Sequence, residues 1–170
     1  MGGLSYARSS LAERTAVQEG SYADLLRAIG RLLDEQGARD AELVEHEHFT
    51  SVSWHANDGS VENRAYNRPA LFQLREKGRR LRSVENSPGE MSELLRTLGQ
   101  EIDDLAMDVS HVQVKKEAFT ITGEVQNRYE SHHFTCSELR HLSGQRRASR
   151  RPSSTSQMSP GHSWWRFWGR

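Results

Sequence analysis

Between residues 23 and 34 the chain reads ADLLRAIGRLLD, with apolar side chains spaced to line one face of a helix. A second stretch 69 positions later, SELLRTLGQEID (residues 92–103), matches it at Leu25/Leu94, Leu26/Leu95, Arg27/Arg96, Gly30/Gly99 and Asp34/Asp103. Helical spacing then gives way to alternation. AELVEHEHFTSVSWH (41–55) and SHVQVKKEAFTITGEV (110–125) each predict two short strands around a polar turn. Phe49-Thr50 coincide with Phe119-Thr120, and Val44 with Val114, once one residue is inserted. NDGS (57–60) signals a hairpin turn into a third strand, Val61–Tyr66, and YESHHF (129–134) is its counterpart.

Each segment closes on another helix. NRPALFQLREKGRRLR opens with Asn67 as N-cap and Pro69 in the first turn, and TCSELRHLSGQRR opens with the capping-box pair Thr135 and Glu138. Leu71 and Leu74 correspond to Leu139 and Leu142. Helix starts are signed in front as well, by Ser21 with Asp24 and by Ser87 with Pro88 and Glu90. The pattern predicts an α+β protein made by tandem duplication of a helix–three-stranded antiparallel sheet–helix unit, residues 21–82 and 91–148, with residues 83–90 as linker. A unit of about 60 residues buries only about 60% of its unfolded surface. The two are therefore expected to pack together about a pseudo-two-fold axis, by a surface the pattern leaves open.

The ends have no place in the repeat. Residues 1–20 form an N-terminal extension in which SSLAERTAVQE has loose helical character. The tail 149–170, rich in Ser, Arg and Trp, has no acid and too little apolar content for a core, and is expected to be disordered. Its HSWWRFW (162–168) sets Trp164, Trp165, Phe167 and Trp168 around Arg166, a composition suited to a membrane interface or a partner's groove. It equally suits an unselected extension. No apolar run is long enough to span a bilayer, no signal peptide is evident, and the single Cys136 forms no internal disulfide, so the expected location is cytoplasmic. Only Lys77, Lys115 and Lys116 among 23 basic residues are lysines, as codon usage in a GC-rich bacterial genome would produce.

A formal net charge of +0 conceals blocks. Residues 21–62 carry net −6, 63–83 net +6, 84–138 net −7 and 139–170 net +7. One explanation is structural: the acidic first helix and basic last helix of each unit lie together and neutralise each other. The other is a strip for nucleic acid, made of Arg75, Lys77, Arg79, Arg80 and Arg82 and of Arg140, Arg146 and Arg147 with Arg150 and Arg151. Acidic blocks of equal size would repel nucleic acid unless they face elsewhere, which favours the first.

Candidate chemistry is sparse. In EHEH (45–48), His46 and His48 stand at i, i+2 and on a strand would share a face able to chelate Zn²⁺ or Cu²⁺, with His55, His132 and His133 as further ligands. VKKE stands at the matching place in the second unit, and the stretch also suits a polar hairpin turn. Cys136, matching Arg68 at a helix start, is placed to stabilise a thiolate with His132 or His133 as base, but no third group is fixed. Asp103 and Asp104 diverge on a helix and are expected in solvent. Phosphate-binding and metalloprotease motifs are missing, so no catalytic residue and no cofactor is expected.

The order αβββα in about 65 residues resembles double-stranded-RNA-binding domains in topology. That family's Gly-rich loop and lysine cluster are replaced here by AYNRPALF (65–72) and HFTCSELR (133–140), so its phosphate grip is not carried over. The expectation is a non-catalytic interaction or regulatory protein with a protein partner, and self-association left open. A nucleic-acid binder using the basic closing helices comes second, and a metal-binding protein through His46 and His48 third.

Overall fold

Ser21 starts the first helix as expected. Its hydroxyl accepts from the Ala23 amide at 3.0 Å, and α1 runs Tyr22–Gln36. There follow β1 (Ala41–Glu45), β2 (Phe49–His55), β3 (Val61–Asn67) and α2 (Arg68–Val84), then α3 (Glu90–Leu105), β4 (Asp108–Lys115), β5 (Ala118–Val125), β6 (Arg128–Thr135) and α4 (Cys136–Ser149). The computed structural model describes residues 21–84 and 89–149, and of residues 82–84 the backbone alone. The N-terminal extension, the tail expected to be disordered and the start signals Ser87 and Pro88 lie outside the described residues.

The protein is α+β, with four described helices and one six-stranded antiparallel sheet of order β3-β2-β1-β4-β5-β6. Two separate three-stranded sheets are not formed. β1 and β4 pair antiparallel, Ala41 with Val114 and Leu43 with Val112, so each supplies backbone partners for the edge the other would leave bare. Helices cover one face. Leu25, Leu26, Leu33, Leu95, Leu98 and Ile102 meet Leu43, Val52, Trp54, Val112, Phe119 and Ile121 in one buried cluster. No described helix is long and apolar enough to cross a membrane.

Helices α1 and α3 pack against each other through the residues that match between them. A Cβ on Gly30 would stand 2.6 Å from the Ser92 Cα, and one on Gly99 2.6 Å from the Ala23 Cα. No larger side chain allows this approach. At the helix ends the contact becomes an exchange of caps. The Asp34 carboxylate accepts from the Met91 and Ser92 amides at 3.0 and 2.9 Å, and Asp103 accepts from Tyr22 and Ala23 at 2.8 and 3.2 Å. Each acid, late in one helix, satisfies the orphan amides and favours the positive end of the other. Asp103 and Asp104 are both exposed, as expected, but each has a partner: Asp103 caps α1, and Asp104 pairs with Arg146 at 2.5 Å. Helix α3 has Gly89 at its N-cap, which has no side chain to offer, and Asp34 does that work from across the interface.

The register of the strands corrects one sequence match. Phe49 is 40% exposed, whereas Phe119 is fully buried under the helices. Residues on opposite faces of a sheet are not counterparts, so the inserted residue is wrong. β1–β2 pairs Leu43 with Val52 and Glu45 with Thr50; β4–β5 pairs Val112 with Ile121 and Val114 with Phe119, each 69 positions on. The offset changes only beyond β2, at the β2–β3 turn. Val52 pairs with Arg64, and Ile121 with His132, 68 positions after Arg64.

Candidate functional site

Helix α2 has two faces of different character. Asn67 caps it by accepting from the Ala70 amide at 3.1 Å, and Pro69 fits the first turn, where no amide partner is needed. Leu71 and Leu74 pack on the core, and Gly78 is buried so close to α1 that a Cβ there would stand 1.8 Å from the Asp24 carbonyl oxygen. The opposite face carries Phe72, Gln73, Glu76, Lys77, Arg80 and Leu81, which line a shallow, largely apolar trough of about 400 Å³. Phe72 is 54% exposed, and of the large apolar side chains exposed among the described residues it alone lies on a helix.

The basic residues predicted to form one strip divide into three situations. Arg75 turns inward, its guanidinium 5.7 Å from the centre of the Tyr22 ring. Arg79 and Arg80 lie outward and share Glu76, at 2.5 and 3.4 Å, and the bond from Arg79 holds that carboxyl below its ordinary range. Lys77 is exposed and makes no ion pair with a described residue. The Arg82 side chain lies outside the description, as do Arg150 and Arg151.

Helix α4 is engaged differently. The Thr135–Glu138 capping box forms: the Thr135 amide donates to the Glu138 carboxylate at 2.7 Å, and the Glu138 amide to the Thr135 hydroxyl at 3.2 Å. The bonds that the Thr135 amide and hydroxyl donate to it hold the Glu138 carboxyl below its usual range. Arg140 pairs with Glu90, Arg146 with Glu101 and Asp104 at 2.5 Å each, and Arg147 with Glu93 at 3.0 Å. Glu93 also receives Arg96 at 3.0 Å and Arg27 at 3.8 Å. Burial pushes its pKa up, but Arg96 and Arg147 outweigh this and leave it below the ordinary value. The basic closing helix thus lies along the acidic α3, and the two basic groups are not brought together as one strip.

Of EHEH, Glu45 ends β1, and residues 46–48 with both histidines form the turn to β2 rather than a strand. His46 stacks on Phe49 with ring centres 4.3 Å apart and meets the Ser51 hydroxyl at 3.2 Å, while the His48 side chain is in solvent. His132 and His133 point to opposite faces of β6, against Glu130 and Thr120 respectively. Among the described residues no three His, Cys, Asp or Glu side chains are placed to hold a metal ion. Cys136 stands at the first residue of α4, but burial pushes its thiol pKa up, the reverse of an activated nucleophile.

One cluster has no signal in the sequence pattern. The Tyr22 hydroxyl donates to the Glu45 carboxylate, beside Arg75 and Asp108, where α1, α2, β1 and β4 meet. Burial raises both pKa values; for Glu45 the bond from Tyr22 and the charge of Arg75 act against it, and Asp108 adds to it. The 69-position offset puts Met91 and Val114 in place of Tyr22 and Glu45, so the pair is not repeated in the other half of the molecule. Compared with known proteins, the chain matches no family model, no curated protein and no solved structure.

Proposed function

We propose that this is a non-catalytic interaction or regulatory protein, arisen by tandem duplication of an αβββα unit (residues 21–82 and 91–148), that works through the outward face of α2. The supporting observation is the unequal use of the two closing helices. Arginines of α4 are taken up by acids of α3, while α2 holds Phe72 exposed in an apolar trough beside Lys77. An exposed aromatic among cations, on a helix anchored by its other face, is the usual anatomy of a protein contact. The duplication reading is supported by the exchanged caps, the close glycines and the 69-position offset that β1 and β2 share with β4 and β5.

A photo-crosslinking residue at position 72, tested in the cells that make the protein, should give a discrete protein adduct; the same residue at position 140 should give none. Equal labelling from both positions, or none from 72, defeats the proposal. A second reading, nucleic-acid binding by α2, is favoured by the exposure of Lys77, Arg79 and Arg80 on one helix. It predicts retention on nucleic acid that falls steeply with salt.

A further inference from the structure

Resting on the reading of α2 as the working surface, we infer that its trough takes an acidic amphipathic helix of a partner protein. The floor is apolar: the Phe72 ring at one end, Leu81 at the other, and between them the methylene stems of Lys77 and Arg80. Phe72 and Leu81 are nine positions apart on α2, about 13 Å along its axis at 1.5 Å per residue. That is the span of a partner helix of two to three turns, with apolar anchors at i, i+4 and i+8.

Charge selects the sign of the partner. Lys77 makes no ion pair with a described residue, and the single acid of the trough, Glu76, is engaged by Arg79 and Arg80. Lys77 and Arg79 against the one carboxylate of Glu76 leave the rim positive, so carboxylates flanking the apolar anchors are favoured and lysines are repelled. Arg68, at the start of the same helix, adds to that sign. The same geometry disfavours nucleic acid. A phosphate backbone follows a long row of cations, whereas here the cations form a short group bounded by the apolar Phe72 and Leu81, and the arginines of α4 are neutralised on α3. The glycine contact at Gly78 keeps α2 fixed on α1, so the trough is already formed before a partner arrives.

The test uses the full chain and three fluorescent probes. The first is a 16-residue helical peptide with leucines at i, i+4 and i+8 flanked by glutamates. The second is the same peptide with lysine for each glutamate, and the third is a 20-nucleotide single strand. The acidic peptide is expected to bind saturably, at least tenfold tighter than the basic one. Phe72→Ala should weaken it about tenfold, and Lys77→Glu should narrow or invert the preference between the two peptides. A far-ultraviolet spectrum and melting curve like those of the parent chain show that each variant is folded. No saturable binding of the acidic peptide, equal binding of both peptides, or binding of the nucleotide strand that Phe72→Ala abolishes would overturn the inference. With a crosslink from position 72 still obtained, such a result removes the acidic helix and leaves the surface. Without that crosslink, both fall.

Discussion

Helix α2 lies on α1 by backbone contact, and α4 lies on α3 by charge. At Gly78 the α2 backbone reaches the Asp24 carbonyl, and nothing bulkier fits. The position 68 residues on, the offset that also relates Leu71 to Leu139, is Arg146, which meets α3 through Glu101 and Asp104. A buried polar cluster of Tyr22, Glu45 and Arg75 lies under α2, whereas Met91 and Val114 replace the first two in the other half. The same order of elements therefore serves two purposes. One closing helix keeps Phe72 exposed on its outer face; the other spends its charges on its neighbour.

Three measurements would break or sharpen this contrast. Gly78→Val should be the most damaging, because the new side chain meets backbone rather than a yielding side chain. We expect a loss of about 3 kcal/mol, a fall in melting temperature of roughly 10 °C. Arg146→Ala, at the matching place on α4, should cost under about 1 kcal/mol and less still in high salt, as partly exposed ion pairs do. Equal losses in urea unfolding would abolish the distinction. Next come the exchanged caps. Asp34→Ala and Asp103→Ala should each cost about 1 kcal/mol, and by similar amounts, since each strips two amide bonds from the opposite helix. A negligible loss at one of them would show that the helix ends are not equivalent.

The smallest effect concerns pH. Burial raises the Glu45 pKa above its unfolded value, so the folded protein holds a proton where the unfolded chain has lost it. Stability from this group is fully present below the ordinary carboxylate range and is lost as pH rises through the raised value. The stability of the parent chain minus that of Glu45→Gln should fall across that window. A flat difference would mean that Glu45 is solvated and the cluster under α2 is no different from its apolar counterpart.

Elements were readable because their signals are local. Ser21, Asn67 and the Thr135–Glu138 pair all cap where the pattern places them, within three residues of their partners. Long-range partnerships were not. Asp34 and Asp103 match in the sequence, but that each caps the other's helix depends on how α1 and α3 cross. Identity also misled: Phe49 and Phe119 look equivalent, yet a shift of one residue turns a strand position to the opposite face. Glu45 sits in a run of charged and polar residues that reads as a turn, and only the fold shows it beneath α2. The charge blocks allowed two explanations, and the pairing of α4 with α3 supports the structural one for that helix, while on α2 Lys77 meets no described acid. The trough went unread because Phe72 lies beside Leu71 and Leu74, and which of them faces outward depends on the angle at which Gly78 seats the helix.

The exchange of caps bears on how the chain is made. When the ribosome has delivered residues up to the end of α2, the amides at the start of α1 still lack Asp103, and the outer edge of β1 still lacks β4. That half-finished product carries a bare strand edge until Lys115 has left the exit tunnel. The time between the emergence of β1 and that of β4 therefore sets how long a nascent chain is open to pairing with a neighbour on the same message.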